Sequence, residues 1–136
     1  MMITYSDSLA GITAGKLTGF FVGWPNPPSP QTHLKLLHGS AAVELALDAQ
    51  TGRVVGYATG LTDGVLTLYV SYLEVLPEYQ RQGIGTELMR RLLKRFGGFY
   101  AVDTSCDAEL QAFYERLGME RSVGMTIRRH ARQSGA

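Results

Sequence analysis

Leu73-Glu74-Val75-Leu76-Pro77-Glu78-Tyr79-Gln80-Arg81-Gln82-Gly83-Ile84-Gly85 is the stretch on which the reading of this chain turns. An apolar strand runs into a proline and a short polar loop, two glycines follow, and a helix opens. Behind Gly83, Ile84, Leu88, Leu92 and Phe96 recur at helical spacing, with Met89 and Leu93 widening the stripe and Arg90, Arg91, Lys94 and Arg95 on the other side. Glu87 in the first turn, Lys94 and Arg95 in the last, and Gly97-Gly98 beyond agree with the helix dipole and a glycine stop. Strand, glycine loop and helix start form the context in which backbone N–H groups converge on an anion. Glycines let the chain come close, and the helix start offers free donors and a favourable dipole. An ordinary glycine turn into a helix has the same spelling. No Gly-Lys-Ser/Thr follows, which excludes a Walker-type triphosphate loop, and Leu88 in place of a third glycine argues against a dinucleotide fingerprint.

The strand entering this loop, Val65 to Leu76, changes phase. Its apolar residues are Leu66, Leu68 and Val70, then Leu73 and Val75. A strand has period two, so a slip near Ser71 and Tyr72 predicts a one-residue bulge, a device that splays a strand from its neighbour and frees backbone groups for a ligand.

Toward the amino terminus, Val43, Leu45 and Leu47 mark a strand from Ala42. Gln50-Thr51-Gly52 turns it into Arg53 to Leu61, and Thr62-Asp63-Gly64 turns that into the bulged strand. Further back lie a strand at Met2 to Tyr5, a region from Leu9 to Gly23 with helical spacing at Leu17, Phe20 and Phe21, and a proline-broken run from Trp24 to Pro30. A short helix, Gln31 to His38, is stopped by Gly39. Toward the carboxyl terminus the pattern predicts a strand at Phe99 to Val102. Asp107 then caps a helix with the stripe Leu110, Phe113, Tyr114 and Leu117, ended by Gly118, and a final strand runs over residues 119–128 before a frayed tail at 130–136. The fold class is α/β of the α+β type: a mixed, mostly antiparallel central sheet, splayed at the bulged strand, with helices on both faces.

With 136 residues, 45% of them apolar, the chain suits one domain over 1–136. Thirteen basic against twelve acidic residues leave a net charge of +1, so the field on which nucleic-acid and membrane-surface binders rely is missing. Cys106 is the single cysteine, read as a small buried residue; it suits a reducing compartment. No basic cluster precedes an apolar block at the start, and no apolar run approaches the roughly 20 residues of a membrane span, so a cytoplasmic protein is expected. His33, His38 and His130 lack ligand spacing, so no metal is expected, and Arg128, Arg129 and Arg132 read as a solvated basic end.

Gln80-x-x-Gly83-x-Gly85 behind Leu-Glu-Val-Leu-Pro, followed downstream by Ala112-Phe113-Tyr114-Glu115-Arg116-Leu117-Gly118-Met119, resembles the two signature segments of the GNAT superfamily of acyl-CoA-dependent N-acyltransferases. The likeness covers about Leu73 to Met119; the part before it corresponds to the variable acceptor side. It implies an acetyl group passed from acetyl-CoA to a primary amine in a ternary complex, with no metal, no covalent enzyme intermediate, and a homodimer as in many members. Leu73 and Val75 would offer backbone groups to the pantetheine arm, and Arg81, Gln82, Gly83, Ile84, Gly85 and Thr86 would wrap the pyrophosphate. Tyr114 matches the tyrosine that protonates the departing sulfur; a phenol of pKa near 10 keeps its proton at neutral pH. It also falls on the apolar stripe of its helix. Glu74 is the candidate base, directly or through water, or else a surface carboxylate in a salt bridge. A backbone N–H near Leu73 or Glu74 would hold the thioester carbonyl.

Asp107 departs from the family, where asparagine is frequent; a carboxylate there would repel phosphates, so it is read as the helix cap. Phe21 and Trp24 form either an aromatic wall of the acceptor pocket or plain core. The acceptor is not legible. The stretch from Cys106 to Met119 loosely resembles glucosamine-phosphate acetyltransferases, which sets amino-sugar phosphates beside polyamines, amino acids and protein amino termini. A second function class, a sensor that binds acyl-CoA without turning it over, would be separated by thiol release against a panel of amines.

Overall fold

The computed structural model, which describes residues 2–136, assembles five strands in chain order. They are β1 (Ile3–Ser6), β2 (Ala42–Asp48), β3 (Val54–Thr62), β4 (Thr67–Val75) and β5 (Ala101–Thr104). The first three pairings are antiparallel and β4 with β5 is parallel, as the late strand-helix-strand order requires. Three α-helices accompany the sheet: α1 (Pro30–Gly39), α2 (Ile84–Arg95) and α3 (Gln111–Glu115).

Two helices take opposite faces of the sheet. The apolar stripe of α2 is buried at Ile84, Leu88, Met89 and Leu92, and each such side chain stabilises by about 1.5–3 kcal/mol. Gly56 lets that helix come close, since a Cβ there would lie 3.2 Å from both Ile84 and Leu88. Arg95 ties the last turn of α2 to β2, pairing with the buried Glu44 at 3.3 Å and donating to the Val43 carbonyl. From the next residue of β3 the side chain projects the other way: Tyr57 meets His33 of α1 at 4.5 Å between ring centres. Ser29 starts α1 by accepting from the Thr32 amide at 3.1 Å, with Pro30 at the first helical position.

The bulge predicted in β4 is present. Thr59 pairs with Tyr72 while Gly60 pairs with Val70, which leaves Ser71 as the extra residue; its hydroxyl bonds that of Thr59 at 2.9 Å. β5 is displaced from its expected place because Phe99 turns back on Phe96, their rings 5.1 Å apart, and pairing begins only at Ala101.

Three expectations are corrected. Leu17, Phe20 and Phe21 are buried as predicted but lie on no helix: a 3-10 turn at Ala14–Lys16 gives way to a loop in which Gly19 and Gly23 have φ of +93° and +82°. Residues 119–128 form no strand, since β5, the edge beside them, pairs only with β4. The tail is not frayed: His130–Arg132 make a 3-10 turn, and Gln133 accepts from the Asn26 amide at 3.1 Å. Among the described residues no helix is long and apolar enough to cross a membrane.

Candidate functional site

The site begins where β4 and β5 part. Their pairing stops at Val70 with Thr104, so beyond the bulge β4 is bonded to β3 alone. The Leu76 amide donates inward to Val55 at 2.8 Å, which by alternation turns the N–H and C=O of Leu73 and Val75 toward the open side. One of these groups is occupied: Gln80 Nε2 donates to the Val75 carbonyl at 2.9 Å. The first residue of the glycine motif therefore closes the strand end, a role the sequence did not announce.

Between the parted strands lies a cleft of about 530 Å³ that brings Glu74 and Tyr114 together with Phe21, Trp24, Leu73 and Tyr72. Glu74 is tied down at its wall. Both carboxylate oxygens accept from the Phe21 amide at 2.9 Å, Oε2 accepts from the Val22 amide at 3.2 Å, and the Tyr57 hydroxyl lies 3.5 Å from Oε1. Phe21 turns its amide inward by adopting φ of +62°, an uncommon conformation for a residue with a Cβ. Its ring meets Trp24 at 4.9 Å and Tyr72 at 6.4 Å, so this loop carries an aromatic wall into the cleft. Burial, then the nearby Glu74 charge, push the Tyr57 phenol far up, and it stays protonated.

The start of α2 closes the other end. Arg81 and Gly83 both have positive φ, +64° and +82°, and Gly83 is the residue before the first turn. Among the described residues the amides of Gly83, Ile84, Gly85 and Thr86 donate to no protein acceptor. A Cβ at Gly83 would meet open space, whereas one at Gly85 would lie 3.8 Å from Val75 and 3.8 Å from Phe113. Phe113 meets Tyr114 edge to face at 5.0 Å between ring centres, so the helix start, the end of β4 and Tyr114 are joined through two contacts.

Tyr114 projects from α3 and is nearly buried. Burial raises its phenol to about 12, with Cys106 adding to the rise and a hydrogen bond with Thr104 opposing it. Cys106 is exposed at the cleft, which corrects the expectation of a small buried residue. Asp107 stands before a 3-10 turn and gives only its carbonyl to the Leu110 amide; its side chain makes no capping bond, so the cap expectation fails and the carboxylate is left beside the cleft. Arg128 also lines the cleft rather than belonging to a solvated end. These residues sit on irregular chain, where neither periodicity nor motif marks them. No group of three His, Cys, Asp or Glu suited to a metal ion occurs among the described residues.

A splayed mixed sheet with a free glycine-rich helix start beside the splay defines a class, and comparison with known proteins gives its name. The chain belongs to the Acetyltransferase (GNAT) family, whose model matches residues 11–119. A crystal structure from Deinococcus radiodurans R1, provisionally assigned as an acetyltransferase, is 42% identical with a TM-score of 0.95, covering 98% of this chain and 93% of that one. An uncharacterised N-acetyltransferase from Porphyra purpurea is 27% identical over 101 residues, 71% of this chain; the chain spans only 58% of that relative's length. Glucosamine-6-phosphate N-acetyltransferase from Arabidopsis thaliana shares the fold, with a TM-score of 0.69 at 12% identity over 94% of this chain and 99% of that one.

Proposed function

We propose that this protein transfers an acetyl group from acetyl-CoA to a primary amine by direct attack within a ternary complex. The observation that carries the reading is the set of unengaged amides from Gly83 to Thr86 at the start of a twelve-residue helix, beside the open edge of β4. Such amides, with the dipole behind them, suit a diphosphate, and Arg81 and Gln82 flank them to complete the loop. From there Val75 and Leu73 offer backbone groups to an extended pantetheine arm, which leads the thioester toward Tyr114. The Leu73 N–H, freed beyond the bulge, would hold the thioester carbonyl.

In the transfer the amine nitrogen bonds to the carbonyl carbon, the carbon–sulfur bond breaks, and the electron pair leaves on sulfur. A thiol's ordinary pKa is about 8.5, below that of Tyr114 at about 12. The phenol therefore stabilises the departing thiolate as a hydrogen-bond donor and keeps most of its proton. Glu74 serves first as the anchor of the Phe21–Val22 loop, because its oxygens already accept two amides. The amine's proton passes to water in the cleft, with Glu74 one bond further on. Phe21 and Trp24 face the acceptor, and the acceptor class stays open among small amines and protein amino termini. The exposed thiol of Cys106 favours a reducing, cytoplasmic setting.

Thiol release from acetyl-CoA against a panel of amines tests this directly. Tyr114→Phe should lower kcat about 100-fold, the scale of losing one preorganised hydrogen-bond donor to a developing negative charge, with the Kd for acetyl-CoA unchanged. Unchanged turnover in that variant would remove Tyr114 from the reaction. Tight acetyl-CoA binding with no turnover on any amine would make the protein a sensor, and absence of binding would overturn the phosphate seat.

A further inference from the structure

A phase change in β4 builds one wall of the cleft. Because Ser71 is the extra residue, Tyr72 and Glu74 pair with Thr59 and Tyr57 and project to the face of α1, whereas Val70 and Leu73 pair with Gly60 and Ala58 and face α2. Tyr72 is thereby carried beside the loop that Glu74 anchors. Its ring is 36% exposed and stands 6.4 Å from those of both Phe21 and Trp24. With Phe21 and Trp24 themselves 4.9 Å apart, three mutually tilted rings stand together on the cleft. Several polar groups of the cleft are already engaged within the protein. Ser71 bonds the Thr59 hydroxyl at 2.9 Å, Thr104 donates to the Val70 carbonyl at 2.8 Å, and the Phe21 and Val22 amides are held by Glu74. Of the charged side chains lining the cleft, Glu74 and Asp107 are carboxylates and Arg128 is a cation.

We propose that the acceptor is an arylalkylamine, a primary amine on a short alkyl link from an aromatic ring, held with its ring against Phe21, Trp24 and Tyr72. Aromatic rings gather at tilted angles with centres roughly 4.5–7 Å apart, the spacing these three already keep, so the wall can take one more member. Charge suits the rest of the molecule. Two carboxylates against one guanidinium attract an ammonium ion and repel an acceptor that bears phosphate or carboxylate. A sugar would bring a ring of hydroxyls to a cleft whose own hydroxyls at Ser71 and Thr104 are engaged, and each hydroxyl desolvated without a partner weakens binding. A peptide terminus would need backbone partners, and the loop's amides at Phe21 and Val22 are given to Glu74. An aliphatic diamine would meet the rings mainly through its charge and leave most of their apolar area wet. This assignment rests on the acetyl transfer proposed for the cleft: the amine nitrogen gains the acetyl group, CoA leaves as the thiol, and the ring is unchanged.

Thiol release by the full chain at saturating acetyl-CoA tests it, with 2-phenylethylamine, n-hexylamine, putrescine, glucosamine 6-phosphate and a short peptide with a free amino terminus as acceptors. The kcat/KM for 2-phenylethylamine should exceed that for every other amine by about tenfold, the upper end of what one aromatic pair supplies. Tyr72→Leu and Trp24→Leu keep an apolar side chain but remove a ring. Each should raise the KM for 2-phenylethylamine about fivefold and leave that for n-hexylamine within about twofold. Tyr72→Phe keeps the ring and should behave as wild type; since Tyr72 is half-exposed, neither of its variants threatens the fold. Equal losses on both amines would overturn the proposal, because the wall would then be plain apolar surface. So would a preference for any of the other four acceptors, which would leave acetyl transfer itself intact. Bound acetyl-CoA with no turnover on any of the five would remove the transfer, and this acceptor with it.

Discussion

Acidification should destabilise this protein through His33, and the size of the effect follows from its surroundings. The ring is 1% exposed and boxed by Tyr57, Phe21 and Phe20 at 4.5, 4.8 and 5.4 Å, and neither ring nitrogen has a hydrogen-bond partner among the described residues. Burial lowers its pKa from 6.5 to about 4. Between those values the unfolded chain takes up a proton that the folded chain refuses. Stability from this group is therefore complete above pH 6.5 and is lost as pH falls toward 4. The difference of 6.5 and about 4, at about 1.36 kcal/mol per unit, amounts to about 3 kcal/mol. His33→Leu removes the titration and the two unpaired nitrogens, while its packing cost is the same at every pH. Urea unfolding followed by the fluorescence of Trp24, the single tryptophan, from pH 7.5 to 4 should show wild type losing about 3 kcal/mol more than the variant. Carboxylates shared by both proteins cancel in that difference. Parallel curves, or a histidine that titrates near 6.5 in the folded state, would refute the reasoning. Because Phe21 touches both His33 and Glu74, the same acidification should loosen the aromatic wall of the cleft before the sheet unfolds.

Three other substitutions probe separate links. Glu74→Gln sets an amide NH₂ against the Phe21 and Val22 donors, and steady-state kinetics should show KM for the amine rising about tenfold with kcat within a few-fold; loss of the acid limb of the kcat profile would make Glu74 the base instead. Gly83→Ala forces a Cβ onto φ of +82°, which should cost about 1 kcal/mol in denaturant unfolding and raise the KM for acetyl-CoA; an unchanged KM would separate that loop from the cofactor. Gly60→Ala places a Cβ 2.5 Å from the buried Leu68 beside the bulge, and calorimetry should record a loss of about 1–3 kcal/mol.

What could be read from the residues follows a physical boundary. Elements whose signal is local were legible: the four-residue recurrence behind Gly83 gave α2, alternation gave β2, the turns at Gln50-Thr51-Gly52 and Thr62-Asp63-Gly64 bounded β3, and the phase change at Ser71 located the bulge. The loop from Leu17 to Phe21 was not, because helical spacing reports which side chains are buried and says nothing of Gly19 and Gly23, whose positive φ breaks the helix. In the site, Tyr114 and the glycine loop stand on regular elements and carry a motif. The Phe21 and Val22 amides, Asp107 and Arg128 reach the cleft from irregular chain, and only a fold places them there.

Residues 119–128 show the same boundary from its other side. Alternation is a property of the segment, but a strand is a property of a pair, since a backbone's donors and acceptors must find another backbone. Here the segment has the pattern, the neighbouring edge is free, and the two stand apart across a groove. The bulge at Ser71 opens β4 on one side of Tyr114, and the groove leaves β5 open on the other. The sheet is thus open on both sides of one tyrosine, and the two openings differ in chemistry. The side beside β4 ends at the free amides of α2, where the proposed diphosphate would sit. The side beside β5 is floored by the apolar side chains of Leu93, Val102, Leu117 and Met119.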